Sequence, residues 1–106
     1  MGIEIVSYKQ VEKGSLKGIV TIRMSNVGME IKDLCVFEKA GKRWVNLPSK
    51  QVKDKTGEMI YAPVIEFFDN RKRELFRDAV LDALDAWRKA KVLNDPMMGL
   101  FREVTR

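Results

Sequence analysis

Hydrophobic and polar positions alternate in the first half of the chain and follow a helical spacing in the second. From Leu16 to Met24 the sequence reads Leu-Lys-Gly-Ile-Val-Thr-Ile-Arg-Met, placing Gly18, Val20, Ile22 and Met24 on one face. Ile19, Thr21 and Arg23 take the other, and a period of two over this length predicts a half-buried strand. Ile3 to Lys9 mixes β-branched and aromatic residues with polar ones and predicts a preceding strand, joined through the turn residues Glu12-Lys13-Gly14-Ser15. After a turn at Ser25-Asn26-Val27-Gly28, Met29 to Phe37 predicts a third strand with Met29, Ile31, Cys35 and Phe37 on one face. Asp33 interrupts that face, so a bulge or a sheet edge is expected there. Glu38 to Lys42 turns the chain into a short strand, Arg43 to Leu47, that stops at Pro48. Ser49 to Glu58 is polar and lysine-rich and reads as a mobile loop, and Met59 to Ala62 has room for a short fifth strand before Pro63.

The period then changes. With Asp69 or Asn70 as N-cap, a helix is expected to run to about Lys91. Phe76, Val80, Ala83, Leu84 and Trp87 form its apolar stripe. Asp78, Asp82, Asp85 and Lys89 face away, with Asp85 and Lys89 spaced for an i,i+4 ion pair. Asn94-Asp95-Pro96 closes the helix, and the additional tail over 92–106 carries Met97, Met98, Leu100 and Phe101, which would fold back or pack against another subunit. Strands followed by one long helix predict an α+β fold, a small antiparallel sheet of four to five strands packed against a long C-terminal α-helix.

Length and charge narrow the partner. A chain of 106 residues has room for one domain, here 1–106, and its modest core makes self-association useful. The net charge of +5 favours an anionic partner, nucleic acid first and an anionic membrane surface second. No apolar run approaches the ~18 residues of a membrane span. Met1-Gly2-Ile3-Glu4 lacks the basic start and apolar core of a signal peptide, so a cytoplasmic location is expected.

One cysteine, Cys35, and no histidine leave almost nothing for catalysis. Zinc and transition-metal sites lose their usual ligands, and triad chemistry loses its general base. The expectation is a protein that is not an enzyme and holds no metal or cofactor. Cys35 reads as a small buried hydrophobe. Asp78, Asp82 and Asp85 read as a solvated row rather than a magnesium cage.

The residues suited to phosphate are basic. Arg71-Lys72-Arg73 stands at the helix start, where free backbone N–H groups and the helix dipole also favour an anion, and Arg77 follows one turn later. Lys50, Gln51, Lys53 and Lys55 form a second cluster, with lysines for phosphates and a glutamine able to donate and accept at a base edge. Lys39, Lys42 and Arg43 gather in the turn upstream. Of the two tryptophans, Trp87 belongs to the helix stripe. Trp44, with Val45 and Leu47 on the opposite face of its strand, is either packed or free to stack on a base.

Several segments resemble the stage V sporulation protein G (SpoVG) family of bacterial regulators. Gly18-Ile19-Val20-Thr21-Ile22 looks like its second strand and Lys32-Asp33-Leu34-Cys35-Val36-Phe37 like its third. Val45-Asn46-Leu47-Pro48-Ser49-Lys50 is similar to its apolar-x-Met-Pro-Ser-Lys motif, and Phe76-Arg77-Asp78-Ala79-Val80-Leu81 to its terminal helix. The resemblance covers roughly residues 3 to 88. It implies a small antiparallel sheet with a C-terminal helix, a homodimer, and binding of DNA ahead of RNA by the basic loop and the helix region. By that match Lys50 carries over directly. Gln51 stands where the family has a basic residue and Ala62 where it has histidine. The alternative is a protein-interaction or assembly module linked to septation that binds no nucleic acid.

Overall fold

The computed structural model describes residues 2–94. Six strands precede one helix: β1 (Glu4–Lys13), β2 (Leu16–Met24), β3 (Met29–Lys39), β4 (Lys42–Asn46), β5 (Ser49–Lys53), β6 (Met59–Pro63) and α1 (Asn70–Asn94). The first four form an antiparallel sheet in the order β1-β2-β3-β4, and β5 pairs with β6 as a separate two-stranded hairpin. The expected α+β fold is therefore present. The tail carrying Met97, Met98, Leu100 and Phe101 lies outside the described residues.

β2 follows its alternation. Gly18, Val20 and Ile22 are buried beneath the helix, while Ile19 and Thr21 are half-buried on the other side. The strand's core face meets Phe76, Val80, Leu81 and Leu84 of α1, together with Ile31, Leu34 and Val36 of β3. Val20, Ile22, Leu34, Val80 and Leu84 are almost wholly excluded from water, and each such aliphatic contributes roughly 1.5–3 kcal/mol on burial. Trp87 packs against this cluster as expected, with the Lys91 ammonium 4.8 Å above its ring. Leu81 completes a stripe broader than the spacing suggested.

β3 departs from the expected face. Val20 pairs with Leu34 and Ile22 with Ile31, so Lys32 and Asp33 together oppose Thr21 alone. Asp33 takes a left-handed φ of 62° to make this bulge. The interruption expected at Asp33 is real, but it also reverses the strand's phase. Beyond it Leu34 and Val36 enter the core, and Cys35 and Phe37 turn to the opposite face. Cys35 is consequently half-buried rather than a core residue.

The segment 49–58 is not the loop expected from its polarity. Ser49–Lys53 is β5, paired with β6 from Ser49↔Pro63 to Lys53↔Met59. Its turn is held by Asp54, whose Oδ1 accepts from Thr56 Oγ1 (2.6 Å), Thr56 N (2.8 Å) and Glu58 N (3.0 Å). Gly57 supplies the left-handed residue that closes it, at φ 85°. The Thr56 hydroxyl, helped by the turn's backbone N–H groups, holds the Asp54 carboxyl below the usual carboxylate range.

Candidate functional site

The hairpin and the helix start enclose a groove along the free edge of β4. It has a volume of about 490 Å³ and is lined by Trp44 and Leu47 of the β4 side, Tyr61 and Pro63 of β6, and Arg73, Phe76 and Arg77 of α1. Glu66 and Glu74 also line it. Its floor is apolar because Phe67 and Phe76 pack there, ring centroids 5.2 Å apart. Two arginines one helical turn apart give the groove its positive charge, and the two glutamates offset part of it.

The hairpin's alternation divides the lysine cluster. Ser49, Gln51 and Lys53 oppose Pro63, Tyr61 and Met59, so Gln51 and Lys53 continue the face that carries groove residues Ser49, Tyr61 and Pro63. Gln51 Nε2 donates to the Tyr61 hydroxyl at 3.2 Å, which fixes the amide over that face. Lys50 opposes Ala62 and lies on the other face. Lys55 stands in the exposed turn at the hairpin tip.

Arg71, Lys72 and Arg73 occupy the exposed first turn of α1. Asp69 is the N-cap: its Oδ1 accepts from Arg71 N at 2.9 Å and Lys72 N at 3.3 Å, and its carbonyl accepts from Arg73 N at 3.0 Å. The backbone donors expected to help hold a phosphate are thus already taken by a carboxylate. What remains for an anion is the basic side chains. Among the described residues, Lys50, Lys53, Lys55, Arg71, Lys72 and Arg73 are in no ion pair, whereas Arg77 is paired with Asp78 at 3.0 Å.

Other basic residues are diverted. Arg43 is claimed by Asp85 of the helix, so Asp85 is not the partner of Lys89 that the i,i+4 spacing predicted. Asp78 and Asp82 are exposed, and no cluster of acidic or thiol side chains among the described residues is arranged for a metal ion. No helix among them is long and apolar enough to cross a membrane. Burial first, and then the charge of Asp33, push the Cys35 thiol above its ordinary value, which keeps it protonated.

Two features escaped sequence reasoning. The residues from Met59 to Ala62 predict only a short strand, although Tyr61 opposite Gln51 in a hairpin is a usable signal for a fixed polar face. The second is the parallel stack of Phe37 on Trp44, with centroids 5.4 Å apart and planes inclined by 7°. The Asp33 bulge creates it, and without the bulge's phase reversal Phe37 reads as core.

No family model matches the chain. A curated relative does. A protein of Archaeoglobus fulgidus that carries the name septation protein SpoVG is 31% identical over 80 residues, covering 76% of this chain and 88% of the relative. The match extends over most of both chains. The chain belongs to the SpoVG family.

Proposed function

We propose that this protein is a non-catalytic nucleic-acid-binding regulator that holds phosphates with the β5 side of the hairpin and the first two turns of α1. The observation that carries the reading is the set of unpaired cations on the hairpin and the adjoining helix start: Lys53 on the groove face of the hairpin, Lys50 on its other face and Lys55 at its tip, with Arg71, Lys72 and Arg73 on the helix. Uncompensated cations side by side cost stability through mutual repulsion, and an anionic backbone relieves it. Gln51, fixed by Tyr61, is the polar group suited to a base edge. Arg77 supports the groove wall. DNA is the expected ligand ahead of RNA.

The test is fluorescence anisotropy with labelled DNA and RNA across a salt series. Replacing Lys50, Lys53, Arg71 and Arg73 together by alanine should weaken binding and lower the log–log salt slope by up to about 3.6 for duplex DNA. An unchanged slope overturns this surface.

One observation favours a protein contact as well. Phe68 is fully exposed, and Val64 and Leu75 are more than half exposed, beside the groove. We assign this patch to a homodimer interface, since an apolar surface of this kind ordinarily marks association. Light scattering of wild type against a Phe68→Asp, Leu75→Asp variant checks it: a dimer that becomes a monomer is expected, and a wild-type monomer at high concentration refutes it. A partner in septation machinery is the alternative occupant, and it gains ground if no nucleic acid binds at low salt.

A further inference from the structure

The face of the four-stranded sheet turned away from α1 carries a second organised surface. Strand register places Lys13, Leu16, Phe37 and Trp44 in one row across all four strands, and Lys9, Ile19, Cys35 and Asn46 in the next. Val36 and Val45, which pair beside Phe37 and Trp44, belong to the helix-side core, so the aromatic pair lies on the opposite face. None of Leu16, Ile19, Phe37 and Trp44 packs against that core. They are half-buried neighbours in the sheet, in an apolar patch that no described element covers.

Lysines frame this patch. Lys39 pairs directly with Lys42 across the β3–β4 hairpin, and alternation puts both on the face of Phe37 and Trp44. Like charges directly opposite one another destabilise a hairpin. The two-residue turn between them already holds Ala40 at a left-handed φ of 53°. Among the described residues, Lys9, Lys13, Lys39 and Lys42 are in no ion pair. Glu12 is engaged by Lys17 and Glu30 by Arg23, which leaves Asp33 at the far bulge as the acidic residue that Cys35 feels.

The geometry of the stack selects a ligand class. Phe37 covers one face of the Trp44 indole, and the other face lies on the side away from β3. There β4 is the edge of the sheet, and Trp44 lines the groove already described. A flat, π-faced group can extend the stack from that side, and an anionic chain attached to it would run past Lys39 and Lys42. An unpaired nucleotide has both properties, whereas a base inside a duplex is already stacked on both faces.

We propose that the Phe37–Trp44 stack is a base-stacking step for single-stranded nucleic acid, with Lys39 and Lys42 holding the adjoining phosphates. The proposal rests on the nucleic-acid reading above and adds an adjoining surface to it. It makes single strands the preferred form, since the strand would leave the groove across Trp44.

The experiment uses the full chain carrying Trp87→Phe, so that Trp44 is the only tryptophan, and titrates it with a thymidylate 12-mer and with a duplex of equal length. Saturating single strand should quench Trp44 emission. Trp44→Leu should weaken single-strand binding about tenfold and duplex binding by clearly less, with the far-ultraviolet circular dichroism unchanged. Should Trp44→Leu misfold, Lys39→Glu with Lys42→Glu is the surface substitution that must also weaken the single strand. Binding of the 12-mer with unchanged Trp44 emission, or at wild-type affinity in these variants, overturns the platform and leaves the hairpin–helix surface standing. Failure of wild type to bind any oligonucleotide at low salt overturns both. Quenching by phosphatidylglycerol vesicles without quenching by the 12-mer reassigns the face to a lipid surface and likewise ends the proposal.

Discussion

Arg43 on the edge strand β4 and Asp85 on α1 meet as a bidentate fork. Arg43 Nη1 donates to Oδ1 at 2.8 Å and Nη2 to Oδ2 at 2.9 Å, tying helix to sheet across 42 positions of sequence. Each partner is displaced in the direction that favours its charged form. The hydrogen bond from Arg43 holds the Asp85 carboxyl below the usual range, and the same bond raises the Arg43 guanidinium. Both side chains remain more than a third exposed, so water and salt screen much of the attraction.

The fork therefore carries a modest, pH-dependent part of the stability. A double-mutant cycle with Arg43→Ala and Asp85→Ala should give a coupling of about 0.5–1 kcal/mol at neutral pH. Because Asp85 is lowered on folding, that contribution is complete above the ordinary aspartate value near ~4 and lost as pH falls through the lower folded value. Urea denaturation at pH 7 and at pH 2.5 should show the coupling present at the first and much reduced at the second. Equal coupling at both would show that the two side chains merely pack.

Tyr8 occupies the space where a side chain at position 18 would begin. Its ring lies across Gly18, its hydroxyl donates to the Lys17 carbonyl at 3.2 Å, and the Arg88 guanidinium sits 5.1 Å from its centroid. The ring is held from three sides and cannot yield cheaply. Gly18→Ala should lower stability by about 1–3 kcal/mol in urea denaturation. Adding Tyr8→Ala should make the alanine at position 18 nearly free of further cost, which distinguishes a clash with the ring from an effect on the strand itself.

Asp69 has two opposed roles at the helix start. It caps the helix through the Arg71 and Lys72 N–H groups and also places a negative charge among the cations assigned to phosphate. Asp69→Ala should cost about 1 kcal/mol of stability, and Asp69→Asn, which keeps an acceptor, much less. The asparagine variant should nevertheless bind nucleic acid more tightly than wild type, because it removes a local negative charge. Thermal denaturation and anisotropy on the same two variants read the two roles separately.

Legibility in the sequence followed burial asymmetry. β2 and α1 each set a fully buried face against a more exposed one, and their periods of two and 3.6 are plain in the residue order. β5 has no such contrast. In Ser-Lys-Gln-Val-Lys only Val52 is even half-buried, so nothing in its alternation separates it from a loop. Its strand state is fixed instead by pairing with β6 and by the Asp54–Gly57 turn, whose aspartate and glycine were the available signal. For the site, the basic clusters were visible as composition. Their partition was not, because it depends on long-range partners: Asp85 reaching Arg43, and the hairpin alternation that parts Lys50 from Lys53. Asp33 announced the bulge but not its effect on everything downstream.

That bulge amounts to a change of reading frame within a single strand. Upstream of Asp33 the odd-numbered Ile31 serves the interior, and downstream the even-numbered Leu34 and Val36 do so. The insertion lets β3 keep Ile31, Leu34 and Val36 in the core while presenting Phe37 on the opposite face, without a strand of its own for each task. Deleting Asp33 would restore plain alternation with Ile31, Leu34 and Val36 still inward, whereas flattening the bulge with every residue kept would send Cys35 and Phe37 inward and Leu34 and Val36 out. The left-handed backbone at Asp33, a small local strain, is what allows eleven residues to have two outsides.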